Sequence, residues 1–141
     1  MIEIINKQNK YRVNQRKFKK LMKKLVEHYR FENPEISLSL VNNRTIKQLN
    51  RRFLDKNSPT DVLSFPIQEK GPDGKFYLGD IVISVPQAFQ QCFPKKEGLE
   101  RELESLIIHG FLHLIGYEHF KGLEEEEKKI KSLLLEGEYG Y

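Results

Sequence analysis

Three of the chain's four histidines fall within the eleven residues His109-Gly-Phe-Leu-His113-Leu-Ile-Gly116-Tyr-Glu-His119. His109 and His113 are spaced i, i+4, so on a helix both imidazoles project from one face, roughly 6 Å apart at Cβ. Neutral imidazole is the preferred nitrogen ligand of zinc, and a pair one turn apart can bite a single ion. His119 is out of phase with a helix that simply continued. Gly116 supplies the break, because glycine adopts backbone conformations that other residues avoid. The chain then folds back and presents His119 as a third ligand. Three protein ligands leave a fourth position open, which marks a catalytic zinc site. The expectation is one zinc ion per chain on His109, His113 and His119. His28 sits in a lysine-rich helix and reads as a surface residue.

The spacing HxxxHxxGxxH is also that of the metzincin metalloproteases, whose motif begins His-Glu. That Glu is the general base of the peptidase reaction. Here the position is Gly110, which can accept no proton, and the nearest acid within the motif is Glu118. The metal site is present and the protease base is absent, so peptidase chemistry is disfavoured.

A chain of 141 residues has the length of one domain with a proper core. Its 38% hydrophobic and 31% charged residues are ordinary for a soluble globular protein. The single cysteine, Cys92, can form no intramolecular disulfide and reads as a small buried hydrophobe. No apolar run is long enough to span a membrane and no secretory segment is evident, so the expected location is the cytoplasm. Net charge is +4 and unevenly spread. Lys7 to Lys24 holds nine cations and no acid. Such a face suits a polyanion such as RNA, and equally a solvated helix face. Glu124 to Glu127 are expected to open the last helix, where carboxylates complement the dipole.

The elements that must carry these residues can be read in order. Ile2–Ile5 is β-prone, and Asn14 caps a helix to about Tyr29. Ile36–Val41 alternates as a strand, and a short helix runs from about Thr45 to Phe53. Val62–Phe65 reads as a strand stopped by Pro66, with a turn at Gly71-Pro-Asp-Gly74. Tyr77–Ser84 is a further strand, and Pro86 opens a short helix to about Cys92. Pro94–Gly98 links to a long helix, about Leu99–Ile115, apolar nearly all round and therefore central and buried. A last helix covers Leu123–Leu135. The order βαβαββααα predicts a single α+β domain over residues 1–141, a mixed sheet of about four strands packed with helices, the central helix carrying the metal ligands.

Leu49-Asn50, Pro59-Thr-Asp-Val-Leu-Ser-Phe-Pro66, Leu78-Gly-Asp-Ile-Val-Ile83 and the three-histidine motif, in this order, resemble the YbeY endoribonucleases, small bacterial cytoplasmic proteins of ribosome maturation. The resemblance spans nearly the whole chain, and HGxLHLxGYxH is its most specific part. It implies zinc on His109, His113 and His119. It also implies cleavage of single-stranded RNA, trimming of the 3′ end of small-subunit ribosomal RNA, and a role in ribosome quality control. The chain departs from the family pattern in three places. Glu118 stands for the usual Asp, Asn57 replaces an Asp, and Leu54 stands where an arginine linked to activity is common. Lys56 is kept.

A zinc site with three neutral ligands carries a net +2 charge. It lowers the pKa of bound water toward about 7 and polarises a phosphoryl oxygen. Lys56, with Arg51 or Arg52, is the expected support for transition-state charge at the scissile phosphate, Arg52 being the preferred partner. Asp61 and Asp80 flank strand starts and either face the cleft or cap turns; Asp61 can instead orient a ligand histidine. Two alternatives stay open. One is a ribosome-assembly RNA-binding factor with a non-catalytic zinc, which Leu54 favours. The other, weaker, is a metallopeptidase with a base from outside the motif.

Overall fold

The computed structural model describes residues 1–56, 60–92, 98–118 and 121–135. Its elements run β1 (Ile2–Asn6), α1 (Gln15–His28), β2 (Glu35–Val41), α2 (Asn43–Leu54), β3 (Val62–Lys70), β4 (Phe76–Ser84), α3 (Val85–Cys92), α4 (Gly98–Leu114) and α5 (Leu123–Leu134). The four strands form one sheet in the order β1-β2-β4-β3. β1, β2 and β4 are parallel and β3 is antiparallel to β4, so the sheet is mixed, as the element order implied.

Helix starts follow side-chain caps. Asn14 accepts from the Lys17 N–H at 3.2 Å, and Asn42 accepts from the Thr45 N–H at 2.9 Å. Asn42, rather than a residue near Thr45, therefore starts α2, two residues earlier than expected.

Two apolar clusters cover the two faces of the sheet. The larger joins α1, α4 and α5 to Leu38, Leu40, Ile81 and Ile83. The smaller seats Ile46 of α2 against Val41, Leu63 and Val82. α4 is the central helix, with Leu103, Ile107, Ile108, Phe111, Leu112 and Leu114 all fully buried. Each such side chain contributes about 1.5–3 kcal/mol. Cys92 is buried as expected, and His28 is exposed.

One expectation is corrected. Pro66 does not stop β3, which runs on to Lys70. β3 is an edge strand. The Ser84 N–H donates to the Asp61 carbonyl, and alternation from that pair turns the Pro66 nitrogen toward the open edge, where no donor is needed. A bulge follows between Pro66 and Glu69, with Gln68 at φ 49°. Alternation breaks there, which hid the second half of the strand.

α4 lies so close to the sheet that Gly110 has no room for a side chain. A Cβ there would stand 2.8 Å from Ile81 Cγ2 and 3.2 Å from Ser64 Oγ. Gly110→Ala is expected to lower stability in a urea unfolding titration by on the order of 1 kcal/mol, overpacking of about 1–3 kcal/mol outweighing the ~1 kcal/mol gain in helix propensity. An alanine variant more stable than wild type would show that the helix can lift at no cost.

Candidate functional site

α4 buries its apolar residues against the sheet and leaves His109 and His113 half-buried on one side. Their ring centroids are 4.7 Å apart, the planes at 69°. Both line an open cleft of about 770 Å³. Its other walls are residues 60–64, Pro66 and Gln68 around β3, and Asn50, Leu54 and Lys56 at the end of α2.

The turn after α4 is built as the sequence required. Gly116 has φ 107°, and its N–H donates to the His113 carbonyl at 3.1 Å. The Tyr117 N–H reaches back to the Leu112 carbonyl at 3.0 Å. This pair of bonds is the Schellman closure, which places a left-handed residue just past the helix. Gly116, Tyr117 and Glu118 then join the cleft wall. His119 lies outside the described residues. The Gln68 amide donates to the Leu114 carbonyl at 2.5 Å, so the β3 bulge also ties down the end of α4.

The site contains one residue that sequence reasoning missed. Nδ1 of His109 is 3.3 Å from Oε2 of Glu127 on α5. A carboxylate only accepts, so it favours the tautomer with its proton on Nδ1 and the lone pair on Nε2. Lys131 Nζ in turn sits 3.9 Å from Glu127. The neighbouring Glu126 accepts from the Tyr29 hydroxyl of α1. Burial and that carboxylate push the phenol far above its ordinary value, so Tyr29 remains a donor. The acidic run does open α5, but two of its members also dock the helix. A carboxylate eighteen residues after His109 is the trace of this in the sequence.

The other expected residues divide. Lys56 lines the cleft. It follows Asp55, which closes α2 in the left-handed conformation, and both N–H groups point at the Asn50 carbonyl. Arg52 lies outside the cleft lining, its guanidinium 5.5 Å from the Phe53 ring centroid. Asp61 lines the cleft, and with the Gln91 amide nitrogen turned toward it stands 3.2 Å from that group, which reaches Glu102 at the same distance. Asp80 accepts from Ser37 Oγ at 2.6 Å. It shares the α2 face of the sheet with Val82 and is turned away from α4.

Two imidazoles facing one cleft, one with its second nitrogen beside a carboxylate, are a donor set that suits zinc. Among the described residues no three metal-binding side chains converge, and His119 lies outside those residues. No helix among the described residues is long and apolar enough to cross a membrane.

Comparison with known proteins adds to this geometry. The family described as "Endoribonuclease YbeY" matches residues 3–135. An "Endoribonuclease YbeY" of Persephonella marina is 43% identical, over 88% of this chain and 82% of that protein. One of Aquifex aeolicus is 38% identical, over 92% and 85%. One of Oceanobacillus iheyensis is 48% identical, over 75% and 74%. Among solved structures, the solution structure of TM1509 from Thermotoga maritima is 30% identical with a TM-score of 0.61, covering 94% of this chain and 89% of that one.

The pairing of His109 with Glu127 can be tested by titrating zinc into the metal-free protein against a chelating indicator. Glu127→Ala is expected to weaken zinc uptake about 10–100-fold with an unchanged circular dichroism spectrum. Equal affinity would mean that the carboxylate has no hold on the ring.

Proposed function

The chain belongs to the endoribonuclease YbeY family, and from that membership we propose that it is a cytoplasmic, zinc-dependent enzyme cutting single-stranded RNA. Its substrates are ribosomal particles, and its task is 3′-end maturation of small-subunit ribosomal RNA and ribosome quality control. The observation that carries the reading is the pair His109 and His113 sharing one open cleft with Lys56. A zinc ion held by His109, His113 and His119 would supply a water of lowered pKa and a Lewis acid for a phosphoryl oxygen. Lys56 holds the phosphate of the bound strand and offsets the charge that grows on it. Asp61 and Glu118 are the carboxylates on the cleft walls and the candidates for moving a proton. Gly110 points its missing side chain into the core at Ile81, which leaves a peptidase base no place in the motif.

A second reading, an assembly factor that binds ribosomal RNA around a non-catalytic zinc, is favoured by one observation. Leu54 stands in the cleft wall, 51% exposed, where the family commonly has arginine. A hydrocarbon there contributes nothing to phosphate binding.

The two readings separate in a cleavage assay on labelled single-stranded RNA with zinc-loaded protein. Wild type is expected to cut, and His109→Ala to lose zinc and cleavage together. Lys56→Ala is expected to keep its zinc and lose about 100-fold in turnover. Zinc-loaded wild type that binds the RNA without cutting it would support the assembly factor instead.

A further inference from the structure

Phe53 is the aromatic residue of α2, next in sequence to Leu54 of the cleft wall, and it stands exposed rather than inside a core. It is 56% exposed, although the residue after it, Leu54, lines the cleft. Its ring is not loose. The Phe65 ring meets it edge-on, centroids 5.4 Å apart at 68°, and Phe65 is itself packed against the smaller apolar cluster. The Arg52 guanidinium lies 5.5 Å from the Phe53 centroid. The ring is held at one edge by Phe65 and leaves more than half of its surface open to water.

The chemistry around it indicates what it takes. Arg52 stands over the ring, and the same exposed stretch of chain carries Arg51 and Lys56 against one acid, Asp55. Cations beside an aromatic surface suit a strand with alternating phosphates and π-faces. We propose that Phe53 is a stacking platform for an unpaired nucleobase of the RNA strand whose phosphate is held at Lys56. This rests on the reading of the cleft as a site for single-stranded RNA and adds to it a source of selectivity. In a duplex both faces of a base are covered by its neighbours, so only a single strand can lay one on Phe53. Arg52, over the same ring, adds a cation–π contact and a charge for the adjoining phosphate. Stacking of this kind is indifferent to base identity, because every base has a π-face.

The chain has no tryptophan, so Phe53→Trp introduces a single indole at the platform. With zinc-loaded protein and a short unstructured oligoribonucleotide, the indole emission is expected to be quenched as the RNA binds. A duplex of the same sequence should leave it unchanged. Phe53→Ala is expected to weaken binding of the single strand about 5- to 150-fold. Phe53→Leu, which keeps the apolar bulk, should lose most of that affinity too. Wild type that cuts single-stranded RNA, with an unquenched Phe53→Trp and a Phe53→Ala of unchanged affinity, would overturn the platform alone. Wild type that neither binds nor cuts single-stranded RNA would overturn both the platform and the reading beneath it.

Discussion

The contact on which the rest depends is the seating of α4 on the sheet at Gly110. Without a side chain there, the helix drops until its backbone carbonyl accepts from Ser64 Oγ of β3 at 3.1 Å. Neighbouring turns then bury Ile107, Ile108 and Phe111 completely. A helix pressed this tightly has few rotational choices, because any roll would lift apolar surface from the core at about 25 cal/mol per Å². The side that remains carries His109 and His113. The histidine pair is therefore aimed first by a packing constraint on the residue between its members, and the contact of Glu127 with His109 comes after it.

Charge completes what packing begins. α5 arrives with an acidic first turn, and its carboxylates are shared between two targets. Glu126 engages the Tyr29 hydroxyl on α1, while Glu127 meets His109 on α4. The interactions are reciprocal in purpose. Docking on α1 holds α5 in place, and α5 in turn holds the His109 ring in one tautomer. α1 is further joined to α4 by Lys17 and Glu100 at 3.1 Å, so the three helices over the larger core form one electrostatically linked layer. The cleft lies where this layer meets the β3 edge and the end of α2, and it draws on residues far apart in the chain.

Much of this was legible in the sequence where the signal is local. The i, i+4 histidines and Gly116 announced both α4 and its ending, because helix phase and left-handed closure are determined within a few residues. Asn14 announced α1 for the same reason. The strand beyond Pro66 was hidden, since the bulge breaks the period of two on which strand reading depends. Asp80 was left between facing the cleft and capping a turn, because sequence alone does not say which face of the strand meets the cleft. Glu127 was invisible as a site residue: its run of acids reads as a helix start, and its meeting with His109 exists only through the packing of α5 on α4. Gly110 was recognised as the wrong residue for a protease. That it is also what permits the helix to approach the sheet required the structure.

The irregularity in β3 has a consequence for how the molecule behaves among its own copies. An edge strand ordinarily offers neighbours a continuous ladder of donors and acceptors, and flat edges invite chains to join. Here the outward nitrogen of Pro66 has no hydrogen to give. Two residues later the backbone of Gln68 turns into the left-handed region, throwing the next groups out of register. A second strand laid along this border would lose its pairing midway. Edge-to-edge joining of copies through β3 is thus discouraged beside the open cleft.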